Sequence, residues 1–146
     1  MIKKEPQEPL SQQLKDKTTK AIFDLKGPRP NLAIIIIGHN HEYFSNIKNL
    51  ELEAKKVGVD THLYICDEDS DEQMLIEIID CLNKDEQIDA IYVQRPLLPT
   101  ISLEKILENI SPAKDVNFEE NFADLDWNLF EARLFKMCLD MFVSEN

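Results

Sequence analysis

An α/β domain, with helices in layers on both faces of a small, mostly parallel sheet, follows from three features of this sequence. Short β-branched runs alternate with segments whose apolar residues recur at helical spacing. One run, Leu32-Ala-Ile-Ile-Ile-Ile-Gly38, lacks the alternation of a half-solvated strand and reads as a strand buried on both faces. The stretches between runs are long enough for the helical crossover that parallel neighbours require.

The elements follow in order. Residues 1–10 read as a loose, flexible N-terminus, and Ser11 to Leu25 as a helix with Leu14, Ala21, Ile22 and Leu25 on one stripe. Gly27-Pro28-Arg29-Pro30 stops it, since proline cannot continue a helix and restricts its predecessor. After the Leu32 strand comes a turn at Gly38-His39-Asn40, then a helix from Glu42 to Val57 closed by Gly58 in the C′ place. Thr61 to Cys66 is a second strand. Ser70 with Gln73 reads as the capping box of a third helix, which turns Met74, Ile78, Cys81 and Leu82 inward. Ile88 to Val93 is a third strand, and Ser102 caps a short helix reaching about Asn109. Residues 11–118 thus make the domain and 119–146 a linker with an apolar C-terminal helix. That helix carries Trp127, Phe130, Leu134, Cys138 and Met141 at helical spacing. It is expected to pack on its own domain or a symmetric partner, with a partner-specific groove as the alternative.

Bulk properties narrow the function. A chain of 146 residues suits one domain, and a net charge of −12 disfavours nucleic acid as a partner. Cys66, Cys81 and Cys138 are odd in number and show no CxxC spacing, so all three are expected to be reduced packing residues. No apolar run reaches the ~18 residues a membrane span needs. The N-terminus has no apolar core for a secretory signal and is acid-bearing for a mitochondrial presequence. A cytoplasmic protein is expected, with a mitochondrial one as the alternative.

Only Gly27, Gly38 and Gly58 are glycines, so neither GxGxxG nor GxxxxGK[ST] exists and no dinucleotide-binding domain is expected here. His39 and His41 fall short of a metal site, and Asp67 to Glu72 suits a helix N-terminus better than a calcium loop, so no metal is expected. Ligands of parallel sheets collect outside the carboxyl ends of the strands. Those ends are Gly38-His39-Asn40, Cys66-Asp67 and Gln94-Arg95-Pro96.

Four segments then carry a resemblance. Leu32 to Gly38, the helix end Lys56-Val57-Gly58-Val59, Val93-Gln94-Arg95-Pro96-Leu97-Leu98-Pro99 and Ser111-Pro112-Ala113-Lys114-Asp115-Val116-Asn117 stand in this order. Together they resemble the N-terminal, folate-binding domain of the methylenetetrahydrofolate dehydrogenases/methenyltetrahydrofolate cyclohydrolases. The family forms read LAxILVG, a helix ending VGI, VQLPLP and PxKDVDG. The resemblance implies a tetrahydrofolate cleft facing an NAD(P)-binding domain that is missing here, so no cofactor is expected on this chain. It also implies a helical tyrosine and lysine (SxxYVxxK), the lysine being the acid/base of ring opening, helped by the glutamine of VQLPLP. The last aspartate of KDVDG would hold the aminopyrimidine edge.

Between Gly38 and Gly58 no gap is needed, so the tyrosine position becomes Asn46 and the lysine position Leu50. The glutamine is kept as Gln94, and the aspartate becomes Asn117. Val93, Gln94 and Pro96, with Asn46 and Asn117, are the implied substrate-binding set. Lys48 starts about 200° around the helix from Leu50 and cannot replace the lysine. Tyr43 is one turn early, and Arg95, where the family has leucine, either meets a ligand carboxylate or pairs with nearby acids. Leucine moves no proton, and a positioned acid/base group contributes ~10²–10⁴-fold. The expectation is a truncated, degenerate relative of the one-carbon folate enzymes with at most residual folate binding. Its alternative is an interaction or dimerisation module pairing with itself or an intact homologue; a fragment without selected function is a third.

Overall fold

The computed structural model describes residues 9–38, 41–95, 97–118 and 126–144, with backbone alone for 41–43. Helix α1 (Leu10–Asp24) leads into β1 (Asn31–Ile37), α2 (His41–Val57), β2 (Asp60–Cys66), α3 (Glu72–Lys84), β3 (Ala90–Val93), α4 (Leu103–Glu108) and α5 (Trp127–Ser144). The sheet is parallel in the order β2-β1-β3, with Ile35 of β1 between Tyr64 and Val93. β1 is the central strand, and its run of isoleucines is buried on both faces, as the missing alternation predicts. A chain that leaves β1 for one neighbour and returns past it to the other places its crossovers on opposite faces.

Those two faces hold separate cores. On one, α1, α2 and α5 cover Leu32, Ile34, Ile36, Ala90 and Tyr92; on the other, α3 and α4 cover Ala33, Ile35, Ile91 and Val93. α2 ends at Gly58 (φ +105), where a Cβ would lie 2.9 Å from Ile22 Cγ2. Glycine is needed there both for its left-handed backbone and to let α1 approach.

Four expectations are corrected. The buried stripe of α1 is Lys15, Thr18 and Ile22, and Leu25 is exposed. The cap of α3 is Asp71, which accepts the Met74 N–H at 2.8 Å, and Ser70 is buried behind it. A carboxylate suits the positive end of a helix better than a hydroxyl. Of the residues expected inward, Leu82 is buried and Ile78 is partly buried against the same core, which Leu75 and Ile79 join, while Met74 and Cys81 are exposed. Cys81 is therefore not a packing residue, whereas Cys66 and Cys138 are buried and burial raises both thiol pKa values.

α5 lies chiefly against α1 and buries Phe130, Leu134, Phe135, Cys138 and Leu139 in its own domain. The side offered to a partner by the sequence pattern is thus already covered. Two buried ions sit among this carbon: Lys15 Nζ is 3.3 Å from Glu131 Oε1 and 3.6 Å from Glu53 Oε2, and Asn49 Nδ2 donates to Glu131 Oε2 at 3.2 Å. The Glu131 carboxyl pKa is raised, by burial first, against the opposing pull of Lys15. Among the described residues no helix is long and apolar enough to cross a membrane.

Candidate functional site

The order β2-β1-β3 reverses direction at β1, so the crevice of this sheet lies outside the carboxyl ends of β1 and β3. At the end of β1, Gly38 turns at φ +85 and its N–H donates to Cys66 O at 2.9 Å, tying the first two strand ends together. At the end of β3, Gln94 N donates to Ile35 O at 2.9 Å, which continues the ladder one residue past the strand.

The Gln94 side chain is only 4% exposed and folds back on its own strand. Its Oε1 accepts the Tyr92 hydroxyl at 3.1 Å and its Nε2 donates to Arg95 O at 2.9 Å. One amide hydrogen and one acceptor lone pair of Gln94 are left over. Tyr92 is the residue that the sequence reading missed. Burial raises its pKa far above the ordinary range, with Arg95 opposing, so it stays protonated and donates. The signal was available, because residues two apart on a strand share a face.

Lys114-Asp115-Val116-Asn117 binds the far side of β3. Ile91 N donates to Lys114 O at 2.7 Å, and Lys114 Nζ reaches Leu82 O and Asp85 O at 2.9 and 2.8 Å, pinning the end of α3. Asn117 Oδ1 accepts the Val93 N–H at 2.8 Å; its Nδ2 donates to Ile91 O and to Asp115 Oδ1, each at 2.9 Å. Both amide hydrogens of Asn117 are therefore used inside the protein, and one lone pair remains. Val93 is fully buried and its N–H is taken by Asn117, so the expected place for it among the ligand-contacting residues is not an open one.

On α2, Asn46 is partly buried, whereas Leu50 is 3% exposed and belongs to the core shared with Ile47, Tyr92, Phe130 and Leu134. Lys48 is exposed and holds its ammonium 5.5 Å from the Phe44 ring centre, away from Leu50. Phe130 of α5 meets Tyr92 edge-on at 5.6 Å and Phe118 at 5.2 Å, with Arg133 4.6 Å over Phe118. The start of α5 thereby rests on the residues that neighbour Gln94 and Asn117. Arg95 opens onto a cavity of about 590 Å³ that also bears Glu104 and Glu108. Pro96, His39 and Asn40 lie outside the described residues, as do the side chains of His41 and Tyr43. Among the described residues no three His, Cys, Asp or Glu groups converge as a metal would need.

Residues 3–117 match the model of the tetrahydrofolate dehydrogenase/cyclohydrolase catalytic domain. The chain belongs to that family. The bifunctional protein FolD of Macrococcus caseolyticus is 38% identical over 92 residues, covering 63% of this chain and 33% of the relative. FolD of Oceanobacillus iheyensis is 36% identical over 110 residues, 74% of this chain and 39% of its own length. Two solved structures agree in fold. A 5,10-methylenetetrahydrofolate dehydrogenase from the silkworm, Bombyx mori, superposes with a TM-score of 0.69 at 30% identity, covering 73% of this chain and 38% of that one. The Campylobacter jejuni bifunctional FolD dehydrogenase/cyclohydrolase gives 0.69 at 29%, covering 73% and 39%. The chain spans about a third of the length of the curated relatives it matches.

As a member of the tetrahydrofolate dehydrogenase/cyclohydrolase family it keeps the strand-end scaffold in an α/β arrangement. Gln94 and Asn117 come together through β3, one on the strand end and the other clamping it. Leu50 reaches the same layer from α2 only as core.

Proposed function

We propose that this chain is a non-catalytic member of the folate family, one that keeps a partial pterin-binding edge and has lost the acid/base route of methenyl-tetrahydrofolate hydrolysis. The observation that carries this reading is Leu50, a carbon side chain sealed in the core at the position where the family resemblance implies a proton-moving lysine. Hydrolysis at a methenyl carbon needs a group that gives and takes a proton within hydrogen-bond reach, and a buried leucine can do neither.

The strand-end residues support weak recognition without chemistry. Gln94 has one donor and one acceptor left for a ligand, while Asn117 has a single lone pair where an aspartate would offer two oxygens. An aminopyrimidine edge that presents donors would find one partner at Asn117 and none at its neighbour. The dehydrogenase step of the relatives needs a dinucleotide site, and the sequence has no glycine-rich loop to cradle a pyrophosphate.

Calorimetric titration with tetrahydrofolate tests the reading. Weak binding that Gln94→Ala abolishes supports a surviving edge. Tight binding that Gln94→Ala and Asn117→Ala leave unchanged would place the ligand elsewhere and sink this account of the site.

A further inference from the structure

We infer that the end of the domain opposite the strand carboxyl termini is a docking groove for an acidic, apolar-anchored peptide segment of another protein. Two adjoining grooves lie there. One, of about 530 Å³, is lined by Arg29, Lys48, Leu52, Lys55 and Thr61, with Glu51 and Asp60 as its acids. The other, of about 370 Å³, is lined by Phe23, Lys26, Arg29, Lys55, Lys56 and Gly58 and contains no acid. Arg29 and Lys55 line both, so the two grooves are immediate neighbours.

The charge there opposes that of the molecule. A chain of net charge −12 gathers five of its 16 Lys and Arg residues around these two grooves. Lys56 is partly neutralised by Glu53 at 3.6 Å, and Lys48 leans on Phe44. Among the described residues Lys26, Arg29 and Lys55 make no ion pair. Beside them stand large exposed apolar groups: Phe23, 79% exposed, in one groove and Leu52, 61% exposed, in the other. Each groove thus sets one exposed apolar side chain among cations.

Lys26, just after the C-cap of α1, holds φ +51, the left-handed conformation in which many helices end, and it lines the second groove.

The shape and field choose the occupant. Every cation here is exposed, so a compact anion would gain only screened, solvent-weakened contacts. An extended segment touches both grooves at once and adds Phe23 and Leu52 to the charge contacts. A nucleic-acid strand continues beyond the groove and would meet the negative remainder of the surface. An acidic peptide with leucine or aromatic anchors meets neither objection.

The test is fluorescence anisotropy of a labelled short peptide alternating glutamate and leucine, titrated with the whole chain. Binding should weaken about tenfold between roughly 50 and 300 mM salt. The double reversal Arg29→Glu/Lys55→Glu should weaken it about tenfold or more, with an unchanged circular dichroism spectrum. Lys26→Gly separates binding from folding, because it should raise Tm while lowering affinity. The proposal is overturned if the double variant binds like the parent, if a lysine-leucine peptide binds equally well, or if a single-stranded oligonucleotide binds as tightly as the acidic peptide.

Discussion

Under α3 and α4 the sheet meets the carbon side chains Leu75, Ile79, Leu82, Ile106 and Ile110, with buried Lys114 held by backbone carbonyls at the end of α3, whereas under α1, α2 and α5 the same three strands meet a core that also contains Lys15 and Glu131. The first face can be made by any residues of suitable size and pattern. The second depends on specific partners brought from positions 15, 49, 53 and 131, far apart in the sequence. Both candidate site faces meet at β3, where Tyr92 and Gln94 turn toward α5 and Val93 toward α3. The contrast teaches that one face rests on shape and pattern, while the other rests on particular charged partners.

Removing one ion from the mixed face should have the largest effect. Glu131→Ala leaves Lys15 buried with only the longer Glu53 contact, and loss of one partner of a buried pair costs about 3–5 kcal/mol. Glu131→Gln should cost much less, since it keeps the shape and the Asn49 contact; urea unfolding of the two variants makes the comparison. On the carbon face Ile79→Ala should cost about 2–5 kcal/mol by cavity formation, whatever the partner, by the same measurement. If Glu131→Ala proved milder than Ile79→Ala, the specific-partner view of the mixed face would fail.

Asn117→Ala should cost about 1–3 kcal/mol, because it strands the Val93 N–H and leaves the Ile91 carbonyl only the long Val116 N–H contact, and hydrogen exchange at Val93 should speed up. A smaller effect concerns pH. The Glu131 carboxyl pKa is raised above its ordinary 4.5, so the native chain holds that proton more tightly than the unfolded one. Its contribution to stability is therefore present below the ordinary value and is lost as pH rises through the raised one. The Tm difference between the parent and Glu131→Gln should grow in favour of the glutamine across that interval. Smallest of all, Thr18→Val should raise Tm slightly, since Thr18 Oγ1 is buried with no hydrogen-bond partner among the described residues.

Local features were legible in the sequence on both faces, and the long-range partners of the mixed face were not. The isoleucine run declares β1, and Gly58 closes α2, because strand burial and helix termination are local matters. Asp71 against Ser70 is also local, yet two adjacent capping residues differ by less than sequence pattern can resolve. Nothing local marks Lys15 as buried, because its partner Glu131 lies 116 positions away. At the site, the order of the motifs located Gln94 and Asn117. The pattern did not reveal that Asn117 uses its amide to hold β3, nor that Tyr92 occupies one acceptor of Gln94. Those facts depend on side-chain directions that only packing fixes.

The most direct test of the central claim is the decay of methenyl-tetrahydrofolate absorbance at rising concentrations of the purified chain. With Leu50 sealed in the core and no other acid/base group put forward for the ring-opening step, the rate should stay at that of the buffer at every concentration. A rate that climbs in proportion to the chain, and falls with Gln94→Ala, would contradict the account and restore the domain to the enzymes of its family.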